Sequence, residues 1–170
     1  MKQYSSFGAF ANHLQKLAVT APEVTHHMVK TGAEMIEKKA HDEIGHYQTN
    51  ISPYPDWAPL AESTLNGWDS PWGVHYPGKI ELGFAPPDNP LLRTGTMRDS
   101  IKSDAAGNDA VVGSNDAILK YHEFGTPKMP PRPVLGPAAH FSTHGILSRM
   151  AATTLHWLSG QGWKRQLRLK

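Results

Sequence analysis

Apolar residues step by threes and fours through the N-terminal quarter of the chain and again through its last third. That is the period of helices with one apolar face. Phe7, Phe10, Leu14 and Leu17 keep this spacing behind Ser5 and Ser6, which predicts a short amphipathic helix. Thr20-Ala-Pro-Glu23 then reads as a capping box, with Pro22 tolerated in the first turn. Beyond it Val24, Met28, Ala33, Ile36, Ala40, Ile44 and Tyr47 predict one long helix from about 21 to 47, with Glu34 and Lys38 paired on its exposed side. Near the other end Phe141, Leu147, Met150, Ala151, Thr154, Leu155 and Leu158 give a strong helical stripe ending near Gly160.

Between these helices the periodicity breaks down from Gln48 to Pro90. Pro53, Pro55, Pro59, Pro71, Pro77, Pro86, Pro87 and Pro90 punctuate the segment, with Trp57, Trp68 and Trp72 among them. Residues 59–65 can form a short helix closed by Gly67, and Lys79-Ile-Glu-Leu82 a strand. The tryptophans argue against simple disorder, since disordered segments are poor in aromatics. Order returns at Leu91–Ile101, where Thr94 is an expected N-cap and Met97 an expected core residue. Residues 101–105 and 110–114 flank a turn-rich Ala-Gly-Asn-Asp and predict a hairpin. Asn115 or Asp116 caps the next helix, on which Ile118, Leu119, His122 and Phe124 are expected to share a side.

That helix leads into Tyr121-His-Glu-Phe-Gly-Thr-Pro-Lys-Met-Pro-Pro-Arg-Pro-Val-Leu-Gly-Pro137. Gly125 stands where a left-handed C-cap belongs, because a glycine has no Cβ to oppose positive φ. Prolines at 127, 130, 131 and 133 deny the chain helix and central-strand pairing, so an extended arm is expected. Pro137 falls in the first turn of the C-terminal helix, where its missing N–H costs nothing. These elements predict an α+β fold in a single domain over residues 1–170. A long N-terminal helix and a C-terminal helix pack on a small antiparallel sheet, with 48–90 as an irregular insertion and 161–170 as a basic tail.

Composition narrows the chemistry. Hydrophobic residues are 39% and charged residues 19% of the 170, enough for one real core. No apolar run approaches the roughly 18 residues of a membrane span, and Met-Lys-Gln-Tyr-Ser-Ser lacks the apolar stretch of a secretory signal. Cysteine is absent, which excludes disulfides, thiolate catalysis and Cys-ligated zinc. A formal net charge of +2 does not announce a nucleic-acid binder, although Lys164, Arg165, Arg168 and Lys170 crowd the C-terminus. Ten histidines invite a metal site. His41 and His46 are five residues apart, about 140° around a helix, while His26 and His27 diverge by about 100°. His140 and His144 have ligand spacing without a nearby carboxylate. Helix-surface histidines are the expectation, with no metal and no cofactor. The nucleophile elbow and the Gly-rich phosphate loops are missing. Nothing in the spacing of Glu81, Asp88, Asp99 and Glu123 predicts that they meet as a carboxylate pair. Glu123, placed unfavourably at its own helix C-terminus, reads either as a structural salt bridge, for instance to Arg132, or as an intersubunit contact.

Two blocks carry a resemblance. The first is Leu92-Arg-Thr-Gly-Thr-Met97 with Ser100-Ile101, preceded by Trp57-Ala-Pro-Leu60 and Ser63-Thr-Leu65. The second, after Val112-Gly113, runs from Tyr121 to Gly136. In order and content, over residues 20–158, they resemble the tailed-phage neck and tail-completion proteins, also called virion-morphogenesis or minor tail components. The resemblance implies a non-enzymatic α+β subunit in a ring, commonly a hexamer, at the head-proximal end of the tail. Its partners would be the tail tube and the head-closure or connector proteins, with DNA passing through the lumen unread and no membrane contact. Its place would be the virion, and the host cytoplasm during assembly. Leu92, Thr94, Gly95, Met97, Ser100 and Ile101 carry over as fold residues. Tyr121, Glu123, Phe124, Gly125, Thr126, Pro131, Arg132 and Pro133 carry over as a helix-to-arm corner facing a neighbouring subunit or tail partner. Val134 stands where the family commonly has an aromatic, and 67–90 is richer in Trp and Pro than its usual connection. The alternatives are a tail terminator or head-closure protein of the same neck, or, in a different class, a small metal-dependent or wall-degrading hydrolase.

Overall fold

In the computed structural model, residues 3–84 and 88–164 are described. Pro86 and Pro87 of the central segment, and Arg165, Arg168 and Lys170 of the basic tail, lie outside the described residues. The elements run α1 (Phe7–Glu43), α2 (Glu62–Asn66), β1 (Trp68–Asp69), β2 (His75–Tyr76), α3 (Thr96–Asp99), β3 (Ile101–Ala106), β4 (Asp109–Ser114), α4 (Ala117–Phe124) and α5 (Leu135–Leu158). The class is α+β, with two separate two-stranded antiparallel sheets, β1–β2 and β3–β4.

The chain gathers into two compact units. The first holds residues 1–36, 103–112 and 141–170, and the second residues 37–102 and 113–140. In the first unit α1 and α5 run antiparallel. Ser142 Oγ reaches Met35 O at 3.5 Å, Trp157 Nε1 donates to Thr20 Oγ1 at 2.9 Å, and His13 Nε2 meets Leu158 O at 2.9 Å. Gly32 lets the helices approach closely, since a Cβ there would stand 3.3 Å from Ile146 Cγ2. His26 Nδ1 ties α1 to the turn of the β3–β4 hairpin at Gly107 O, 3.0 Å away.

α1 is one helix of 37 residues, where the sequence suggested a break at Thr20. Pro22 removes one backbone donor, yet the turn is held from outside by the His13 and Trp157 contacts. Thr20 does not cap; its hydroxyl donates back to Lys16 O at 2.8 Å. The helix stops at Glu43 rather than 47, because Gly45 turns at φ 99° and gives its N–H to Pro90 O. Of the expected core positions Val24, Ala33, Ala40 and Ile44 are buried. Glu34 pairs with Lys30 at 4.0 Å, one turn earlier than the expected Lys38. The α5 stripe is divided: Phe141, Leu147, Ala151, Leu155 and Leu158 are exposed, Met150 and Thr154 are half-buried with Thr154 against Met28 of α1, and Ser142 and Thr153 are buried.

The irregular stretch in the second unit is built rather than loose. α2 closes at Gly67 (φ 80°), as its sequence suggested, but begins at Glu62, after Pro59. A small hairpin follows, pairing Trp68 with Tyr76 and Asp69 with His75. Residues 79–82 are turns and not a strand. Leu82 N donates to Gly78 O and Phe84 N to Lys79 O, while Lys79 N and Ile80 N are spent on Thr64 O and Leu65 O. Those donors are therefore unavailable for a ladder.

Candidate functional site

The two blocks of the resemblance lie in the second unit, and hydroxyls tie the first to the N-cap of α4, the helix that carries the start of the second. Ser100 Oγ donates its one proton to Met97 O at 2.6 Å, so Ser114 Oγ, also 2.6 Å away, must be the donor between the two serines. Ser114 Oγ in turn accepts Asp116 N–H at 2.9 Å. Asp116, not Asn115, is the N-cap of α4, its carboxylate accepting Ile118 N–H at 2.8 Å. Ile101 is fully buried and Met97 nearly so, and His41 Nε2 donates to Ile101 O at 3.1 Å. Leu92 packs beside Gly45. Thr94 is not the cap of α3. Gly95 holds that position at φ 85° with no side-chain cap, because the left-handed turn has already been made there.

The corner after α4 divides into an inward and an outward half. α4 ends at Gly125 with φ 73°, and a Cβ there would come within 2.9 Å of Met129 O and of the Pro131 nitrogen, so only glycine fits. The prolines do not make one straight arm. Thr126 and Met129 exchange backbone hydrogen bonds of 2.8 and 3.0 Å around Pro127-Lys128, a tight exposed turn that sends the chain back. The fixed φ of Pro127 suits the first central position of such a turn. The chain is extended only after that, and Arg132 N–H donates to His122 O at 2.6 Å.

Glu123, Arg132 and Pro133 form the inward half. Among the described residues Glu123 bonds no arginine. Its carboxylate accepts the N–H groups of Val134 at 2.7 Å, Leu135 at 3.2 Å and Gly136 at 3.3 Å, capping α5 from across the corner. A negative charge that opposes the dipole of its own helix thereby satisfies the orphan donors of the next. Arg132 is buried, and its guanidinium donates to Ala58 O at 3.0 and 3.2 Å and to Pro59 O at 3.1 Å. That placement corrects the expectation of an arginine held out toward a neighbouring subunit. Pro133 O accepts the buried indole N–H of Trp57 at 3.1 Å, so the Trp57-Ala-Pro block is the seat on which the arm rests.

Tyr121, Phe124 and Thr126 form the outward half, with Pro131 half-buried behind them. Phe124 is 77% exposed. Ile118, Tyr121 and Phe124 follow one another at three-residue steps on the open side of α4, and only Leu119 is buried. The expected single side shared by Ile118, Leu119, His122 and Phe124 is therefore split. Burial and the Arg132 charge hold the His122 pKa below the usual imidazole value.

Four of the ten histidines serve as tethers. His13, His26 and His41 bond backbone carbonyls, and His27 meets the Trp163 ring edge-on. Among the described residues no three His, Asp or Glu side chains gather in a metal-binding group. The β1–β2 hairpin carries a cluster that pattern reading missed. Trp68 and Tyr76 stack at 4.9 Å on one face, and on the other His75 bridges Asp69 at 2.7 Å and Glu81 at 2.8 Å. The two carboxylates hold the His75 pKa above its usual value. Comparison with protein-family models, curated proteins and solved structures returned no match.

Proposed function

We propose that this chain is a structural assembly protein of a phage neck. It would act as a tail-completion subunit in a ring, commonly a hexamer in the family it resembles, that finishes the tail and supports joining to the filled head. The observation that carries the reading is the corner itself. The residues that resemble the family's two motifs are engaged in fixing a backbone: Glu123 caps α5, Arg132 is locked on Ala58 and Pro59, and Ser100 is bonded to Ser114. What they hold in place is an exposed edge of Tyr121, Phe124 and the 126–130 turn. A rigid corner bearing an apolar edge loses little conformational entropy on docking, which suits a subunit that must join neighbours repeatedly. The tail tube and the head-closure or connector proteins are its proposed partners, and DNA would pass through the ring without being read.

Interrupting the reading frame in the parent phage tests this. The expected result is an accumulation of DNA-filled heads and separate tails that join when the purified protein is added. Normal virions without the protein would overturn the reading. A tail of uncontrolled length would instead move the protein to the terminator position of the same neck.

A further inference from the structure

The β1–β2 hairpin holds large aromatic side chains out in solvent on a fixed frame. Trp68 and Tyr76 pair across the strands with their rings stacked at 4.9 Å, and each is still 48% exposed. Trp72, at the tip, is 85% exposed, and Val74 is exposed as well. Ser70 closes the tip, its N–H donating to Val74 O at 2.8 Å and its hydroxyl accepting Val74 N–H at 3.0 Å. At the base Gly78 lies so near the backbone of Leu65, Asn66 and Gly67 that a Cβ would collide with it. On the face opposite the rings His75 joins Asp69 and Glu81. A two-stranded ribbon this short is marginal by itself, and these ties fix it. Trp and Tyr offer much contact area for little rotamer entropy, and a fixed display loses less still on binding.

Charge selects what such a display can receive. Residues 48–90 carry five carboxylates, Asp56, Glu62, Asp69, Glu81 and Asp88, against the single lysine Lys79, in a chain whose formal net charge is +2. Lys79 is buried and spends its ammonium on Asn89 O. Among the described residues no lysine or arginine is ion-paired with any of the five. Asp69 follows Trp68 directly in β1, and its side chain is largely exposed. Nucleic-acid phosphates and anionic membranes are repelled by a segment of this sign. The complementary group is a guanidinium. It stacks flat on an indole or phenol ring and pairs in its own plane with a carboxylate, which a lysine ammonium cannot do together.

We propose that the β1–β2 hairpin is a docking site for an arginine-bearing segment of a different protein. Trp72 and the Trp68–Tyr76 pair receive the guanidinium groups by stacking, and the carboxylates of Asp69 and Glu81 draw them in. Each exposed contact of this kind is weak, so a guest gains affinity by carrying more than one arginine. The site concerns the hairpin alone and does not depend on the neck reading.

Titrating the isotope-labelled full chain with a capped peptide of alternating glycine and arginine, followed by the indole N–H signals of its five tryptophans, tests this. At low salt the Trp68 and Trp72 signals are expected to shift saturably in the millimolar range or tighter, while that of the buried Trp57 stays in place. Trp72→Ala changes an exposed side chain, so the fold should survive and binding should weaken at least threefold. Asp69→Asn with Glu81→Gln should weaken it at least fivefold, and so should half-molar salt. If that double variant loses the hairpin, Trp72→Ala and the salt dependence decide. A matching lysine peptide should bind less tightly, and a glutamate peptide not at all. The absence of a saturable shift, or full affinity in the folded Trp72→Ala variant, would overturn the proposal. Equal binding by the lysine or glutamate peptide, a neutral glucose hexasaccharide or an oligothymidylate would overturn it too.

Discussion

Glu43 is a buried carboxyl with incomplete company. Gln48 Nε2 donates to its Oε2 at 3.0 Å, and Lys39 Nζ stands 3.7 Å from Oε1. Burial is the larger effect and pushes its pKa from 4.5 to about 7, with the Glu123 charge adding repulsion. Between those two values the folded chain keeps a proton that the unfolded chain releases, so stability falls as pH rises from 4.5 to about 7 and is level above. Glu43→Gln should abolish that slope and raise stability at pH 8 by an amount on the order of 2 kcal/mol. Urea denaturation at several pH values measures it, and an unchanged slope would contradict the account. An Arg132 facing a neighbouring subunit, as the resemblance implies, would let Arg132→Ala weaken assembly and spare the monomer. With its donors on two buried-side carbonyls, the variant should instead destabilise the monomer by about 1–3 kcal/mol. Glu123→Ala should cost about 1–2 kcal/mol through the lost cap of α5. Monomer melting near that of the wild type in either variant would return these residues to the interface. Neither role was legible beforehand, because bonds from 123 to 134 and from 132 to 58 are made by the fold and not by spacing.

Among the elements, length decided what could be read. α1 and α5 have periodic stripes long enough to declare helices, and the Gly-Asn turn declared the β3–β4 hairpin. β1 and β2 are two residues each, too short for any alternation to show. Their hairpin is held by side chains: the Trp68–Tyr76 stack above, and His75 between Asp69 and Glu81 below. Both ring nitrogens of His75 face carboxylates, and only the imidazolium can donate to both at once. The pKa of His75 is raised, so the clamp is complete below the ordinary 6.5 and is lost as pH rises through the elevated value. An NMR titration of His75 should show that elevation, and Glu81→Gln should reduce it. A His75 that titrates alike in both proteins would show that the clamp does not form in solution.

For the whole molecule, periodicity told where an apolar face lies but not which way it points. The α5 stripe was legible as a stripe, yet its leucines face outward, and the inner contact with α1 is made by Ser142, Ile146, Thr154 and Trp157. The same holds for the first turns of α1. Leu147 and Leu155 of α5 and Phe7 of α1 are exposed, and so is Phe124 of the corner. In the proposed neck ring a neighbour would cover the Tyr121–Phe124 edge. Cryo-electron microscopy of the parent virion, with the density of the neck resolved to side chains, tests this most directly. The expected density is a ring at the head-proximal end of the tail that fits this chain, with Tyr121 and Phe124 in contact with a neighbour. A neck fully accounted for by other chains would contradict it.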